Sequence, residues 1–145
     1  PHDPFLKSVS EKCRRDMTCL LCKRMMYRVA QKVAVREGAC GIVTGENIGQ
    51  VASQTLYNQR VIRSDFKLLV VQPLIGFDKD ETTQISRKTR LFDISSKGQG
   101  RCWAVPDHPS TAARLQEVLE TEKYVDIEGW AKEALSRAKV SIISP

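Results

Sequence analysis

The segment Gly38-Ala-Cys-Gly-Ile-Val-Thr-Gly-Glu46 carries the strongest signal for the fold class. Gly38 follows a long helical pattern and is placed to end that helix in the left-handed conformation glycine favours. The apolar run after it predicts a short buried strand over residues 39–44. Gly45 then interrupts the strand, and Glu46–Leu56 predicts the next helix. The order helix, strand, glycine turn, helix is typical of an α/β fold, so we expect a parallel sheet.

The segment before this stretch predicts a helix over residues 17–37. Its apolar stripe consists of Leu21, Met25, Val29 and Val33. Its basic stripe consists of Arg24, Arg28, Lys32 and Arg36. Like charges four residues apart destabilise a helix by a few tenths of a kcal/mol per pair. The basic stripe therefore calls for anions, either carboxylates of the chain or phosphates, unless it is simply a solvated face.

The segment after it contains a second buried strand, predicted over residues 67–74. A helix follows over 78–90, where Asp78 and Glu81 have the spacing of a capping box. Lys79 lies in the first turn, which the helix dipole disfavours for a cation. Lys79 is therefore a candidate for holding a ligand anion, and an ordinary surface lysine is the alternative.

The C-terminal third predicts an amphipathic helix over 111–122, a last helix over 126–139 and a short edge strand over 140–143. Two buried strands are too few to be covered by five helices. We therefore expect a three-layer Rossmann-like parallel sheet of which residues 1–145 form the C-terminal half.

The carboxyl end of the first strand is the predicted ligand site. In open α/β sheets, ligands bind there, and helix N-termini donate free N–H groups to phosphates. Thr44, Gly45 and Glu46 occupy that place. The sequence has no Walker A loop and no Gly-x-Gly-x-x-Gly, so a nucleotide loop would be supplied from upstream or by a partner chain.

Composition and charge narrow the class of protein. With 41% apolar and 28% charged residues in 145, the chain is not collagenous, low-complexity or strongly disordered. No apolar run approaches the ~20 residues of a membrane span, so we expect a cytoplasmic protein without a membrane partner. The net charge is +6, and residues 1–66 carry 11 basic and 6 acidic groups. This favours a polyanionic partner, with ordinary solubility charge as the alternative.

Five cysteines, an odd number, argue against a disulfide framework. Cys19 and Cys22 form a CxxC, whose spacing lets two thiolates share a metal or lets one thiol resolve a persulfide on the other. Cys40 lies in an apolar run and is expected to be a small buried hydrophobe. Cys13 could be a fourth ligand, but we expect an inert or solvent-facing thiol.

Cys102 lies in the segment Ser95-Ser-Lys-Gly-Gln-Gly-Arg-Cys-Trp103. Its glycines permit an unusual backbone. Lys97 and Arg101 place cations nearby, which favours thiolate over thiol. Cys102 is therefore a candidate reactive cysteine, and a loop cysteine without a role is the alternative.

Several short sequence motifs occur together in a specific order. They are Lys23-Arg-Met-Met26, Thr44-Gly-Glu-Asn-Ile-Gly-Gln-Val-Ala-Ser-Gln-Thr-Leu56, Pro73-Leu-Ile-Gly-Phe-Asp-Lys-Asp-Glu81, Cys102 and His108-Pro109. In these phrases the chain resembles the 4-thiouridine synthetase family, tRNA sulfurtransferases that are also tied to thiamine biosynthesis (ThiI). The resemblance covers nearly the whole chain and matches the second half of the family's PP-loop ATPase domain.

The resemblance implies an activity and a set of site residues. Family members adenylate a tRNA uridine with ATP and Mg²⁺, then replace its oxygen with sulfur. Lys79 matches an essential lysine that would stabilise negative charge on the phosphates, and Cys102 matches the cysteine that meets the sulfur carrier or the substrate. The implied nucleotide contacts are Thr44, Gly45, Glu46 and Gln50. The implied RNA contacts are Arg24 and Arg28.

The sulfur chemistry stays open between two forms. By resemblance to archaeal-type members, Cys19, Cys22 and Cys102 could hold an iron–sulfur cluster with one iron open to sulfide. Alternatively, Cys102 could carry a persulfide that a CxxC thiol resolves. The sulfur donor is expected to be a cysteine desulfurase or sulfide.

The chain also departs from the family pattern. It lacks the family's Ser-Gly-Gly-x-Asp-Ser loop, its N-terminal RNA-binding region and its rhodanese domain. The isolated piece is therefore expected to be inactive without the PP-loop half, which the same protein or a partner chain would supply, and a homodimer is expected. The alternative functions are a non-catalytic tRNA- or partner-binding module and a sulfur donor for the thiazole of thiamine.

Overall fold

The computed structural model describes residues 2–98, 100 and 102–143. The helices in this part of the chain are α1 (Asp3–Lys12), α2 (Thr18–Arg36), α3 (Leu56–Ile62), α4 (Lys79–Lys88), α5 (Phe92–Ser95), α6 (Leu115–Glu122) and α7 (Ile127–Ser136). The strands are β1 (Gly41–Val43) and β2 (Leu69–Val71). Single 3₁₀ turns cover Arg15–Met17 and Ala52–Gln54.

Helix α2 organises the core. Its apolar side, including the fully buried Leu21, packs against α1, α3 and α7. Helix α1 contributes Phe5 and Val9, both without solvent exposure. Each such side chain stabilises the fold by roughly 1.5–3 kcal/mol when it leaves water. Gly38 has φ +69°, so the predicted glycine end of this helix is confirmed.

The sheet consists of β1 and β2, which pair in parallel with Ile42 opposite Val70. Helix α3 lies between them in the chain, which makes a βαβ unit and confirms the predicted α/β class. A Cβ at Gly41 would lie 2.7 Å from the Leu69 carbonyl oxygen, so glycine permits the close approach of the strands. The strands are less buried than predicted, since Val43 is 72% exposed.

The predicted helix over Glu46–Leu56 is wrong. After β1 the chain forms an irregular loop in which Gly49 has φ +78°, a conformation that a helix cannot contain. The helix begins later, at Leu56, where the Thr55 hydroxyl accepts a hydrogen bond from the Asn58 N–H. Thr55 is therefore the N-cap of this helix, and this local signal favours a start at Leu56 rather than at Glu46.

Helix α1 was missed, although Phe5, Leu6 and Val9 show helical spacing. The predicted edge strand over 140–143 is wrong, because these residues have no regular structure and their apolar side chains are exposed. The predicted helices over 111–122 and 126–139 are confirmed over shorter ranges, as α6 and α7.

Helix α4 begins as predicted. The Asp78 carboxylate accepts from the Glu81 N–H at 2.8 Å, and the Glu81 carboxylate accepts from the Asp78 N–H at 2.8 Å. The capping box is thereby confirmed, and it fixes Lys79 as the first residue of the helix. Among the described residues, no helix combines the length and apolar character needed to cross a bilayer.

Candidate active site

Glu46 is the centre of a buried polar network at the carboxyl end of β1. Lys23 Nζ donates to its Oε1 at 2.6 Å. Tyr27 OH donates to Oε2 at 2.5 Å, and Gln72 Nε2 donates to the same oxygen at 3.0 Å. The Thr44 hydroxyl adds a longer contact of 3.3 Å. The carboxylate therefore ties α2 to the ends of both strands.

The contacts of Glu46 set its protonation. Burial by itself raises the pKa of this carboxyl, but the hydrogen bonds from Lys23 and Tyr27 and the Lys23 charge outweigh burial and lower the pKa below its ordinary value. The pKa of Tyr27 is raised by burial and by its bond to the charged Glu46. Glu46 is thus an ionised structural anchor at neutral pH.

The network continues into α3. Gln72 Nε2 also donates to Gln59 Oε1 at 2.9 Å, and Arg63 Nη1 donates to Gln72 Oε1 at 3.0 Å. Gln59 is only 3% exposed. Buried polar groups that are all satisfied in this way hold a single arrangement of the elements that carry them.

Asn47 joins the loops that follow the two strands. Its buried amide Nδ2 lies 3.0 Å from the Leu74 and Phe77 carbonyl oxygens and 3.3 Å from Thr82 Oγ1. These bonds fix the turn before α4 against the loop after β1, and so they fix Lys79 relative to Glu46. Sequence reasoning missed Asn47 because its partners lie 27 to 35 residues away.

A pocket of about 300 Å³ lies between α2 and the end of β1. Its lining residues are Lys23, Met26, Tyr27, Ala30, Ile42, Val43, Thr44, Gly45 and Glu46. Three of the four predicted nucleotide contacts, Thr44, Gly45 and Glu46, are therefore brought together. The fourth, Gln50, is exposed and does not line the pocket.

Lys79 is exposed at the start of α4. Within the described ranges, its ammonium makes no ion pair and no side-chain hydrogen bond. An exposed cation that is left unpaired in this part of the chain remains available to an anionic ligand.

The three candidate thiols lie within electrostatic reach of one another. Burial raises the pKa of Cys22 to about 11, with further contributions from the charges of Cys19 and Cys102. Burial likewise raises the pKa of Cys19, and the Cys102 charge adds to the effect. Lys23 acts on both thiols in the opposite direction. His2 Nε2 lies 3.1 Å from Cys22 Sγ.

These thiols do not form a ready metal centre. In the part of the chain that the structure describes, no three His, Cys, Asp or Glu side chains are grouped so that they could hold a metal ion. The arrangement therefore does not fit the predicted iron–sulfur cluster, and no chemical step is derived through one.

The remaining cysteines differ from each other. Cys40 is exposed, so its predicted burial is wrong; it is the last of the four loop residues between α2 and β1. Cys13 is half-buried, with its Sγ 3.7 Å from the Thr121 carbonyl oxygen. Cys102 is exposed on its loop. Arg101, expected to activate Cys102, lies outside the described residues.

Arg24 and Arg28, predicted to contact RNA, are paired with carboxylates. The Arg24 side chain has no solvent exposure and contacts both Glu122 and Asp65. Its Nη1 also donates to the Val61 carbonyl oxygen at 2.5 Å. Arg28 pairs with the same two acids, at 2.6 Å to Asp65. The anions that the basic stripe calls for are thus side chains of this chain at these two positions.

Three comparisons place the chain among known proteins. A family model described as "Thiamine biosynthesis protein (ThiI)" matches residues 1–127. The chain is 47% identical over 140 residues to a probable tRNA sulfurtransferase of Methanosarcina mazei, which covers 97% of this chain and 35% of the relative. It is 39% identical over 122 residues to the probable tRNA sulfurtransferase of Methanocaldococcus jannaschii, covering 84% of this chain and 31% of that protein.

Among solved structures, the chain is similar to a 4-thiouridine synthetase in complex with RNA and bound ATP. The TM-score is 0.92 at 32% sequence identity, and the match covers 99% of this chain and 38% of that chain. The chain thus spans about a third of the length of the curated relatives that it matches.

Proposed function

Since this chain belongs to the thiamine biosynthesis protein (ThiI) family, we propose that it is the thiol-bearing part of an ATP-dependent tRNA sulfurtransferase that makes 4-thiouridine. One observation carries the proposal. Cys19 and Cys22 lie at the start of α2 next to Lys23, and Lys23 lines the pocket at the end of β1. Besides burial, the charge of Cys102 raises the pKa of both thiols. The sulfur chemistry and the predicted nucleotide site are therefore adjacent.

The pocket supports the binding of ATP. Its apolar wall, formed by Met26, Ile42 and Val43, suits a purine base, and Thr44 and Gly45 offer polar groups to the edge of the base. ATP with Mg²⁺ would supply the adenylyl group that activates the uridine oxygen. Lys79 is positioned by the capping box and by the hydrogen bonds of the Asn47 side chain. It would stabilise the charge that develops on the phosphates.

Sulfur transfer then needs two kinds of thiol. Cys102 accepts a persulfide from a donor such as a cysteine desulfurase. The terminal sulfur attacks C4 of the activated uridine, the C–O bond breaks, and AMP leaves with the electron pair. The sulfur of Cys19 or Cys22 next attacks Cys102 Sγ and gives up its proton. The bond between Cys102 Sγ and the transferred sulfur breaks, so that a disulfide forms and 4-thiouridine is released. A dithiol reductant restores the thiols.

The chain offers a matched test in its two exposed cysteines. In the full-length protein, Cys102→Ser is expected to abolish 4-thiouridine in tRNA, measured by mass spectrometry of digested nucleosides. Cys40→Ser removes a thiol of the same exposure class and should leave the 4-thiouridine level unchanged. Normal 4-thiouridine with Cys102→Ser would refute the proposal.

A further inference from the structure

A second concave surface has no cysteine in its lining and shares no lining residue with the pocket at the end of β1. It is an open groove of about 730 Å³ between α3 and the segment that leads into α6. Its floor is apolar and includes Val61 and Ala113, while Tyr57, Arg60 and Arg114 stand at its sides. None of these residues lines the pocket at the end of β1.

The walls of the groove are held together by Asn58, which has no solvent exposure. Its Nδ2 donates to the Ala52 and Ser110 carbonyl oxygens, each at 2.7 Å, and its Oδ1 accepts from the Ala113 N–H at 3.0 Å. The Thr55 hydroxyl adds a bond of 2.6 Å to the Thr111 carbonyl oxygen. The groove is therefore preformed, which lowers the cost of binding a ligand.

The groove carries positive charge without internal neutralisation. For the residues that the structure describes, neither Arg60 nor Arg114 has a carboxylate partner. Asp65, close to the groove in sequence, is already paired with Arg24 and Arg28. Two guanidinium groups thus remain free to bind anions from solution.

Tyr57 supplies the third element. Its side chain is 69% exposed and lines the groove, so the ring is open to a ligand. Stacking of a base on an exposed aromatic side chain, with arginines on the adjacent phosphates, is the common way in which proteins hold unpaired nucleotides.

We propose that this groove binds an unpaired segment of RNA, with a base stacked on Tyr57 and the flanking phosphates on Arg60 and Arg114. The inference rests on the proposed function, since it assigns part of the RNA substrate to a surface of this chain. No cysteine lines the groove, so it contributes affinity and placement of the RNA rather than a chemical step.

The test uses the full-length protein and two probes, a single-stranded RNA oligonucleotide and a tRNA transcript. Tyr57→Ala is expected to weaken binding of both by about tenfold, because one stacked base is lost. Tyr57→Phe keeps the ring and should stay within about twofold of the wild-type affinity. The double variant Arg60→Gln with Arg114→Gln should reduce the slope of log K against log salt by about 1.4, since each phosphate contact on a single strand contributes about 0.7.

The matched control is the double variant Arg36→Gln with Arg137→Gln. It removes the same charge from exposed arginines that pair with neighbouring glutamates and should leave the salt slope unchanged. Equal salt slopes for the two double variants, with wild-type affinity for Tyr57→Ala, would overturn the inference. If the groove variants bind RNA normally but no longer bind a protein partner, the groove holds a peptide, and the inference is also overturned.

Thiolation by the wild-type protein reports separately on the proposed function. If the wild type makes 4-thiouridine while the groove variants bind RNA normally, only the groove assignment fails. If the wild type binds RNA through the groove and makes no 4-thiouridine, the proposed function fails.

Discussion

The region around α2 and the region around β2, α4 and α5 use the same residue types for different purposes. Around α2, apolar side chains such as Phe5 and Leu21 are fully buried, and even Arg24 is only 1% exposed. Helices α4 and α5 contain no buried residue, and Leu69 of β2 is 64% exposed. The first region is packed within this chain, while the second presents its side chains outward.

The contrast shows where charge is available for ligands. Arg24 and Arg28 of α2 are paired with Asp65 and Glu122, so they contribute to stability. Lys79, Arg60 and Arg114 have no such partners among the described residues, so their charges are open to phosphates. A count of charged residues cannot distinguish basic side chains that are paired within the chain from those that are free. The ion pairs of the folded structure make that distinction.

A substitution in the packed region around α2 is expected to have the strongest effect, and that effect is on stability. Arg24→Met leaves Glu122 and Asp65 with Arg28 alone and removes the Arg24 donor from the Val61 carbonyl, which keeps its bonds from Ser64. Removing one partner of a buried ion pair costs roughly 3–5 kcal/mol. We expect the free energy of unfolding, from urea denaturation, to fall by about that amount. A variant as stable as the wild type but impaired in RNA binding would reverse the role assigned to Arg24.

Substitutions in the region around β2, α4 and α5 are expected to change activity rather than stability. Lys79→Ala is expected to lower the thiolation rate by about 10²–10³-fold, the effect of losing one electrostatic stabiliser, and to change stability by less than about 0.5 kcal/mol. Lys88→Ala, at the other end of α4, is the matched control and should leave the rate near that of the wild type. Equal thiolation rates for Lys79→Ala and Lys88→Ala would show that Lys79 takes no part in the reaction.

Glu46 lies where the two regions meet, and its effect depends on pH. Its pKa is lower in the folded protein than the ordinary value of 4.5, so its stabilising contribution is complete above pH 4.5 and is lost as the pH falls through the folded pKa. Glu46→Gln is expected to cost about 1–3 kcal/mol at pH 7. The difference from the wild type, followed by denaturation at several pH values, should shrink below pH 4.5. A constant difference would contradict an ionised Glu46.

The smallest predicted effect sharpens the boundary of α3. Thr55→Ala removes the N-cap and the bond to the Thr111 carbonyl oxygen, and an N-cap contributes about 1 kcal/mol. Thr55→Ser keeps the hydroxyl and should restore most of the loss. Stability measurements on the two variants check this, and an equal loss in both would show that the methyl group, not the hydroxyl, matters.

The sequence predicted the elements whose signals are local. The helix that became α2 and its glycine end, and the capping box at Asp78, follow from spacing over a few residues, and the structure confirms them. The resemblance grouped Thr44, Gly45 and Glu46, which do line one pocket.

The errors arise where distant residues decide. The segment Glu46–Leu56 was predicted to be a helix, yet the Asn47 side chain donates to the Leu74 and Phe77 carbonyl oxygens after the second strand, and these bonds hold the loop in its irregular form. Arg24 pairs with Glu122, 98 residues away, so its burial could not be seen in the basic stripe. The Tyr57 groove depends in the same way on residues 110–114 meeting α3.

Cooperation between Cys102 and the CxxC is tested most directly by a single turnover without reductant. Full-length protein, loaded with persulfide and given ATP and tRNA, is quenched, alkylated and mapped by peptide mass spectrometry. A disulfide joining Cys102 to Cys19 or Cys22, with Cys40 alkylated as a free thiol, is the predicted result. One equivalent of 4-thiouridine formed with Cys102, Cys19 and Cys22 all recovered as free thiols would contradict the account.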